Sequence, residues 1–264
     1  MRQSPANLLS IRQLRKSFGG VHAVRGIDLD VGEGEIVGVI GPNGSGKTTT
    51  FNVITGLIRA DGGNIFWKSN ERDLVSEKPW SIFGHGIART FQNIRLPLGL
   101  TVLENIMVGL YLQQEANWLD VVIGRGKVRE QDRAAKDRAL EAIQFVSPSL
   151  AKTPDRLVAE LAYPDRRRVE IARAIVSRPK MLLLDEPTAG MNPRETEELA
   201  DDILKVNENG ITVLLVEHKM KFVSSLARRV AVLNFGQKIA EGTYDEIRSN
   251  PAVVEAYLGR RRSQ

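Results

Sequence analysis

Residues 41–50 read GPNGSGKTTT, and the first eight match G-x-x-x-x-G-K-[ST] in full. Gly41, Gly44 and Gly46 let the backbone fold close around an anion, with its N–H groups turned toward the charge. Pro42, Asn43 and Ser45 complete the turn, and Lys47, Thr48 and Thr49 stand where a helix should start and add its positive end. This pattern suits a nucleotide: Lys47 reaches the β- and γ-phosphates, and the Thr48 hydroxyl binds Mg2+. A second stretch, MLLLDEP at 181–187, ends an apolar run in two carboxylates. Asp185 would hold Mg2+ directly or through water, and Glu186 would orient and deprotonate the attacking water beside the γ-phosphate. His218 follows another apolar run, ITVLLVEH, where an imidazole could contact the γ-phosphate and sense its presence. His22 and His85 have no such setting and read as structural.

These groups are useful only if the chain brings them to one place. EIVGVI runs into the glycine loop as a buried strand, a helix over 48–54 follows, and Gly56 is its stop. MLLL and ITVLLVEH are apolar on both faces and alternate with helices, so they predict a parallel sheet covered on both sides, with its carboxyl ends carrying the site. LLSIRQL and AVRGIDLDV predict a smaller β region ahead of it, and VAVLNFGQKIAEG predicts a hairpin turning near 234–236. Between about 73 and 160 the chain changes character. Residues 128–146 are charged, with Ala135, Ala139, Ile143 and Val146 at helical spacing. The fold expected is an α/β nucleotide-binding core with an antiparallel β subdomain and an inserted helical lobe. The division is core at about 1–72 and 178–264 and lobe at about 73–177. Further helices are expected over 166–177 and after Asn192, whose cap is followed by Pro193 and by Glu195 at the capping-box position.

The 264 residues, with 42% hydrophobic and 26% charged, suit one compact unit and argue against disorder. Cysteine is absent, which excludes disulfides and thiolate metal sites and fits a reducing compartment. No apolar run approaches the roughly 18 residues of a membrane span. The opening residues lack the apolar segment of a signal peptide, so the expected location is the cytoplasm, with any membrane role through a partner. The net charge of +5 includes the clusters Arg166 to Arg168 and Arg260 to Arg262, which read first as solvated basic surface and second as a site for nucleic acid or anionic membrane.

In order along the chain, GPNGSGKT, the glutamine of RTFQN, LAYPDRRRVEIARA, LLLDEP and VEH resemble the nucleotide-binding subunits of ABC transporters. The resemblance covers nearly the whole chain. It implies that ATP and Mg2+ are bound, that Phe18 stacks on adenine, and that Gln92 links Mg2+ and the γ-phosphate to the helical lobe. It makes Leu161 to Asp165 the signature segment, AGMN at 189–192 a loop crossing a dimer interface, and His218 a switch. Taken alone, Phe18 reads as well as a core aromatic, and Gln92 as an exposed polar residue. ARTFQNIRL, TVLENIMVG, EPTAGMNPRET and NPAVVEAYLG are similar to the ATP-binding subunit of branched-chain amino acid importers. Implied partners are membrane permease subunits, a second ATPase subunit of the same or another kind, and indirectly a substrate-binding protein, at the cytoplasmic side of the inner membrane. The related lipopolysaccharide-export ATPase is a second reading. A soluble ATPase of this family acting on nucleic acid is a third, and a small-molecule kinase with the same loop a fourth; neither is favoured by the single cassette with its glutamine and signature segments. Family signatures resemble LSGGQ or LAYG, whereas here Pro164 stands where a glycine is expected, removing one N–H donor and any left-handed backbone.

Overall fold

A computed structural model describes residues 7–68, 71–113 and 125–258. Strands β1 (Asn7–Phe18) and β2 (Val21–Gly32) are antiparallel, and with β4 (Gly62–Trp67) and β5 (Arg72–Asp73) they form a four-stranded sheet ordered β2-β1-β4-β5. A second sheet of six strands contains β3 (Ile36–Ile40), β6 (Ile87–Arg89), β7 (Met181–Asp185), β8 (Thr212–Val216), β9 (Arg229–Asn234) and β10 (Gln237–Gly242). Its order is β10-β9-β3-β8-β7-β6, and every pairing is parallel except the β9–β10 hairpin. The core strands β3, β7 and β8 are buried at all five positions, as their unbroken apolar runs require.

Alternation along each strand serves two cores. Met181 and Leu183 of β7 join Val37, Val39 and Leu214, together with helix α1 (Lys47–Ile54) and the antiparallel sheet. Leu182 and Leu184 face the other way, toward the helices. That second layer contains α3 (Val102–Met107), α4 (Arg125–Val146), α6 (Tyr163–Ile175), α7 (Pro193–Glu208) and α8 (Met220–Leu226); α2 (Pro79–Gly84) and α5 (Pro148–Ala151) are, like α3, short. Ala135, Ala139, Ile143 and Val146 form the buried stripe of α4, as their spacing predicts. Helix α7 has the expected cap: Asn192 Oδ1 accepts from Glu195 N–H at 3.0 Å, and Glu195 returns the bond to Asn192 N–H at 3.0 Å. Helices α9 (Tyr244–Ser249) and α10 (Pro251–Leu258) end the described chain, and the basic cluster Arg260 to Arg262 lies outside it.

Within the stretch expected as a helical lobe from about 73, β6 rejoins the parallel sheet as its edge strand beside β7. Three residues are too short for a periodic signal, and Gly86 on one side with the RTFQN loop on the other hides the strand. The consequence is positional: β6 delivers Arg89 and Gln92 to the same sheet edge as Asp185.

Candidate nucleotide site

The glycine loop lies between β3 and α1, at the carboxyl edge of the parallel sheet. Gly46 has φ +102, and a Cβ there would stand 2.5 Å from the Ala23 carbonyl oxygen, so only glycine allows β2 to abut the loop. The Arg25 N–H donates to the Gly236 carbonyl at 2.7 Å and seals the same seam. The cleft beside the loop holds about 490 Å³ and is lined by Asn43 to Thr49, by Glu186 and Phe235, and by Val21, His22, Ala23 and Arg25 of β2.

Lys47 is buried, and its Nζ donates to the carbonyls of Gly41 at 2.7 Å and Pro42 at 3.0 Å. Burial lowers its ammonium below the ordinary lysine value, while Glu186 and Asp185 pull the other way. Thr48 is exposed to the cleft, and the buried Ser45 Oγ has no hydrogen-bond partner among the described residues. From α10, the Tyr257 phenol is pushed up to about 12 by burial, and the Gly41 amide works against that shift.

Glu186 leaves the end of β7 at φ 45, a left-handed conformation costing a non-glycine residue about 1–3 kcal/mol. Its N–H donates to the Val216 carbonyl at 2.9 Å, which fixes the turn. The Glu186 carboxylate accepts from Gln92 Nε2 at 2.8 Å, and His218 Nδ1 lies 3.8 Å from the same oxygen. Asp185 sits behind it, buried. One of its oxygens accepts from Arg89 Nη2 at 2.7 Å, and the other has no hydrogen-bond partner among the described residues. Arg89 is anchored in turn by Asn52 Oδ1 at 2.8 Å and Thr55 Oγ1 at 3.0 Å, on and just after α1.

Five sequence-predicted residues therefore converge: Lys47, Gln92, Asp185, Glu186 and His218. Phe18 does not join them. It ends β1 exposed, with the Lys16 ammonium 5.4 Å from its ring centroid, because β2 and not β1 forms the cleft wall. His22, read as structural, lies on that wall, its Nδ1 2.8 Å from Ser17 Oγ. His85 is structural, 2.8 Å from Glu77.

Sequence reasoning missed Glu217. Fully buried, it accepts from Thr188 N–H at 3.0 Å, from the Thr188 hydroxyl, from His218 N–H at 2.8 Å and from Lys219 N–H at 3.1 Å. Lys219 Nζ donates to the carbonyls of Thr188 and Met191 at 3.0 and 3.1 Å. The neighbours of His218 thus grip the loop that follows Glu186. An acid at the end of an apolar strand, inside VEH, was the available signal.

At the signature segment, Ala162 is the N-cap of α6 and Pro164 the second helical residue, a place where no intrahelical N–H is needed. The three arginines that follow diverge. Arg166 turns back to the carbonyls of Leu161 at 3.0 Å and Ala159 at 2.8 Å, so those two donors are spent on the chain before the helix. Arg168 bonds Asp202 at 2.9 Å and Glu198 at 3.0 Å, tying α6 to α7. Arg167 is fully buried.

The family model described as ABC transporter matches residues 24–189, and that of the branched-chain amino acid ATP-binding cassette transporter matches 237–262. The high-affinity branched-chain amino acid transport ATP-binding protein LivG of Salmonella typhimurium is 42% identical over 253 residues, 96% of this chain and 98% of that protein. BraF of Pseudomonas aeruginosa, of the same description, is 41% identical over 96% of this chain and 98% of its own. An ATP-binding cassette of an ABC transporter, solved in its ADP conformation, superposes with a TM-score of 0.82 at 32% identity, covering 96% of this chain and 99% of that one. The chain belongs to the ABC transporter ATP-binding family, among the branched-chain amino acid transport ATP-binding proteins.

Proposed function

We propose that this chain is the ATP-hydrolysing subunit of an importer of branched-chain amino acids. The observation that carries the catalytic part is the meeting of Gln92, Glu186 and His218 at the mouth of the phosphate loop. In this reading Gly41 to Thr49 cradle the phosphates, and Lys47 exchanges its two loop carbonyls for phosphate oxygens. Glu186 takes the proton of the attacking water, with Gln92 and His218 fixing its carboxylate.

Mg2+ would be held by Thr48, Gln92 and Asp185, where it neutralises charge on the phosphates. The buried, unpartnered Asp185 oxygen fits a hard cation or its water shell, and Asp185, Gln92 and Thr48 supply the oxygen ligands such an ion prefers. Adenine would lie against the β2 wall at Val21 to Arg25, with Phe18 at the rim.

The cargo assignment draws on the match to the LivG and BraF proteins over 98% of their length. Among the described residues no helix is long and apolar enough to cross a membrane. Passage across it would fall to separate permease subunits, with this chain peripheral on the cytoplasmic side, paired with a second ATPase subunit and linked indirectly to a substrate-binding protein. No nucleic acid is required. The core would be about 1–72 and 178–264, with β6 added, and the remainder of 73–177 the lobe. Glu186→Gln in the assembled transporter tests the chemistry: ATP is still bound, and turnover falls by about 100-fold or more, as loss of a general base requires. Turnover at the parental rate would overturn the assignment.

A further inference from the structure

Arg167, at the centre of a run that reads as solvated surface, is the largest fully buried side chain among the described residues. Its Nη1 donates to the Phe91 carbonyl at 2.8 Å and to Glu170 Oε2 at 2.5 Å. Its Nη2 donates to the Gln92 carbonyl at 3.0 Å and to the Tyr163 hydroxyl at 3.3 Å. Glu170 Oε1 accepts from the Phe91 N–H at 3.4 Å. One ion pair on α6 therefore holds three main-chain groups of residues 91 and 92. Only Nε lacks a partner among the described residues.

Two things make this more than packing. First, a charge so deeply buried is tolerated only when it is paired and hydrogen-bonded, so the two Nη groups of the guanidinium dictate where the 91–92 backbone lies. Second, the residue it holds by the main chain is the one whose side chain donates to Glu186. Tyr163 is the first residue of α6, and its ring stands 3.7 Å from where a Cβ on Gly190 would be, in the loop after Glu186. Contacts thus run from Glu186 through Gln92 and Arg167 to the start of α6.

We propose that Arg167, braced by Glu170, is a positioning residue for hydrolysis that sets the place of Gln92 and locks it to the start of α6. If the signature segment serves the nucleotide of a paired subunit, Arg167 would join one subunit's own phosphate site to the surface it offers its partner. The inference rests on the roles given above to Gln92 and Glu186. Lysine cannot replace arginine here, because one ammonium cannot reach four acceptors in a plane.

The test is a double-mutant cycle in the assembled transporter, with Arg167→Lys and Gln92→Ala singly and together. Arg167→Lys should lower kcat by roughly 10- to 100-fold, as displacement of a positioned group does, with nucleotide affinity little changed. In the Gln92→Ala background the same change should cost less than about twofold, because both act on one unit. Multiplying effects would overturn the coupling while leaving Gln92 in its role. A Gln92→Ala rate equal to the parental one would overturn the role of Gln92, and the coupling with it. Should Arg167→Lys fail to fold, Glu170→Gln takes its place in the cycle. It keeps the volume and the acceptor for Phe91 N–H and removes the charge that braces Arg167, and the same two outcomes decide.

Discussion

Lys47 shows how the phosphate loop holds its own charge: its ammonium donates to two carbonyls of that loop, so in the proposed role binding exchanges hydrogen bonds and does not uncover a new charge. Loss of the lysine should therefore weaken binding and not folding. Lys47→Ala is expected to reduce ATP affinity about 10- to 100-fold, the worth of one or two charge-assisted hydrogen bonds, with the melting temperature close to that of the parent. Titration of a fluorescent ATP analogue and a thermal melt would check both. At this scale the gathering of Lys47, Asp185, Glu186 and His218 at one sheet edge was legible from residue type and position on a strand or loop, whereas Gln92 was reached only through the family resemblance. It was not legible for Arg89, Arg167 and Glu217. Their work is done on main-chain groups and carboxylates distant in the chain, and a buried arginine has the same letter as a solvated one.

Among the elements, α6 is the most informative. Its first turn accepts Pro164 because the N–H that proline lacks has no carbonyl partner at that position, so the departure from a glycine costs the fold nothing. The cost, if the segment serves a partner's nucleotide, is one missing donor. Pro164→Gly in the full transporter is expected to raise the hydrolysis rate with little change in nucleotide affinity. Stability should fall by about 0.5–1 kcal/mol, since glycine restores freedom to the unfolded chain. A rate unchanged or lower would show that proline is suited to this position. Arg166 commits its Nε and Nη2 to the carbonyls of Leu161 and Ala159. Helices and core strands were readable from periodicity and caps. β6 was not, because a three-residue edge strand is defined by its neighbour β7 and not by its own pattern.

For the whole molecule, the stretch from Gln92 to Leu103 joins the edge of the parallel sheet to the helical layer. That stretch starts at Glu186 and ends in α3, whose first residue is Val102. A short cytoplasmic helix of a permease is expected to dock there, and crosslinks from single cysteines placed along 94–100 should reach a permease; crosslinks confined to other surfaces would reject this. The same layering has a consequence for accuracy. Because β7 sends Met181 and Leu183 into one core and Leu182 and Leu184 into the other, its register is specified twice. A slip of one residue would exchange both sets at once and carry Asp185 and Glu186 about 3.3 Å along the strand, onto opposite faces. The sheet is thus a ruler with one permitted reading. The tolerance to which the two carboxylates are set starts from that of the hydrocarbon packing beneath them, before Arg89 and Gln92 hold them in place.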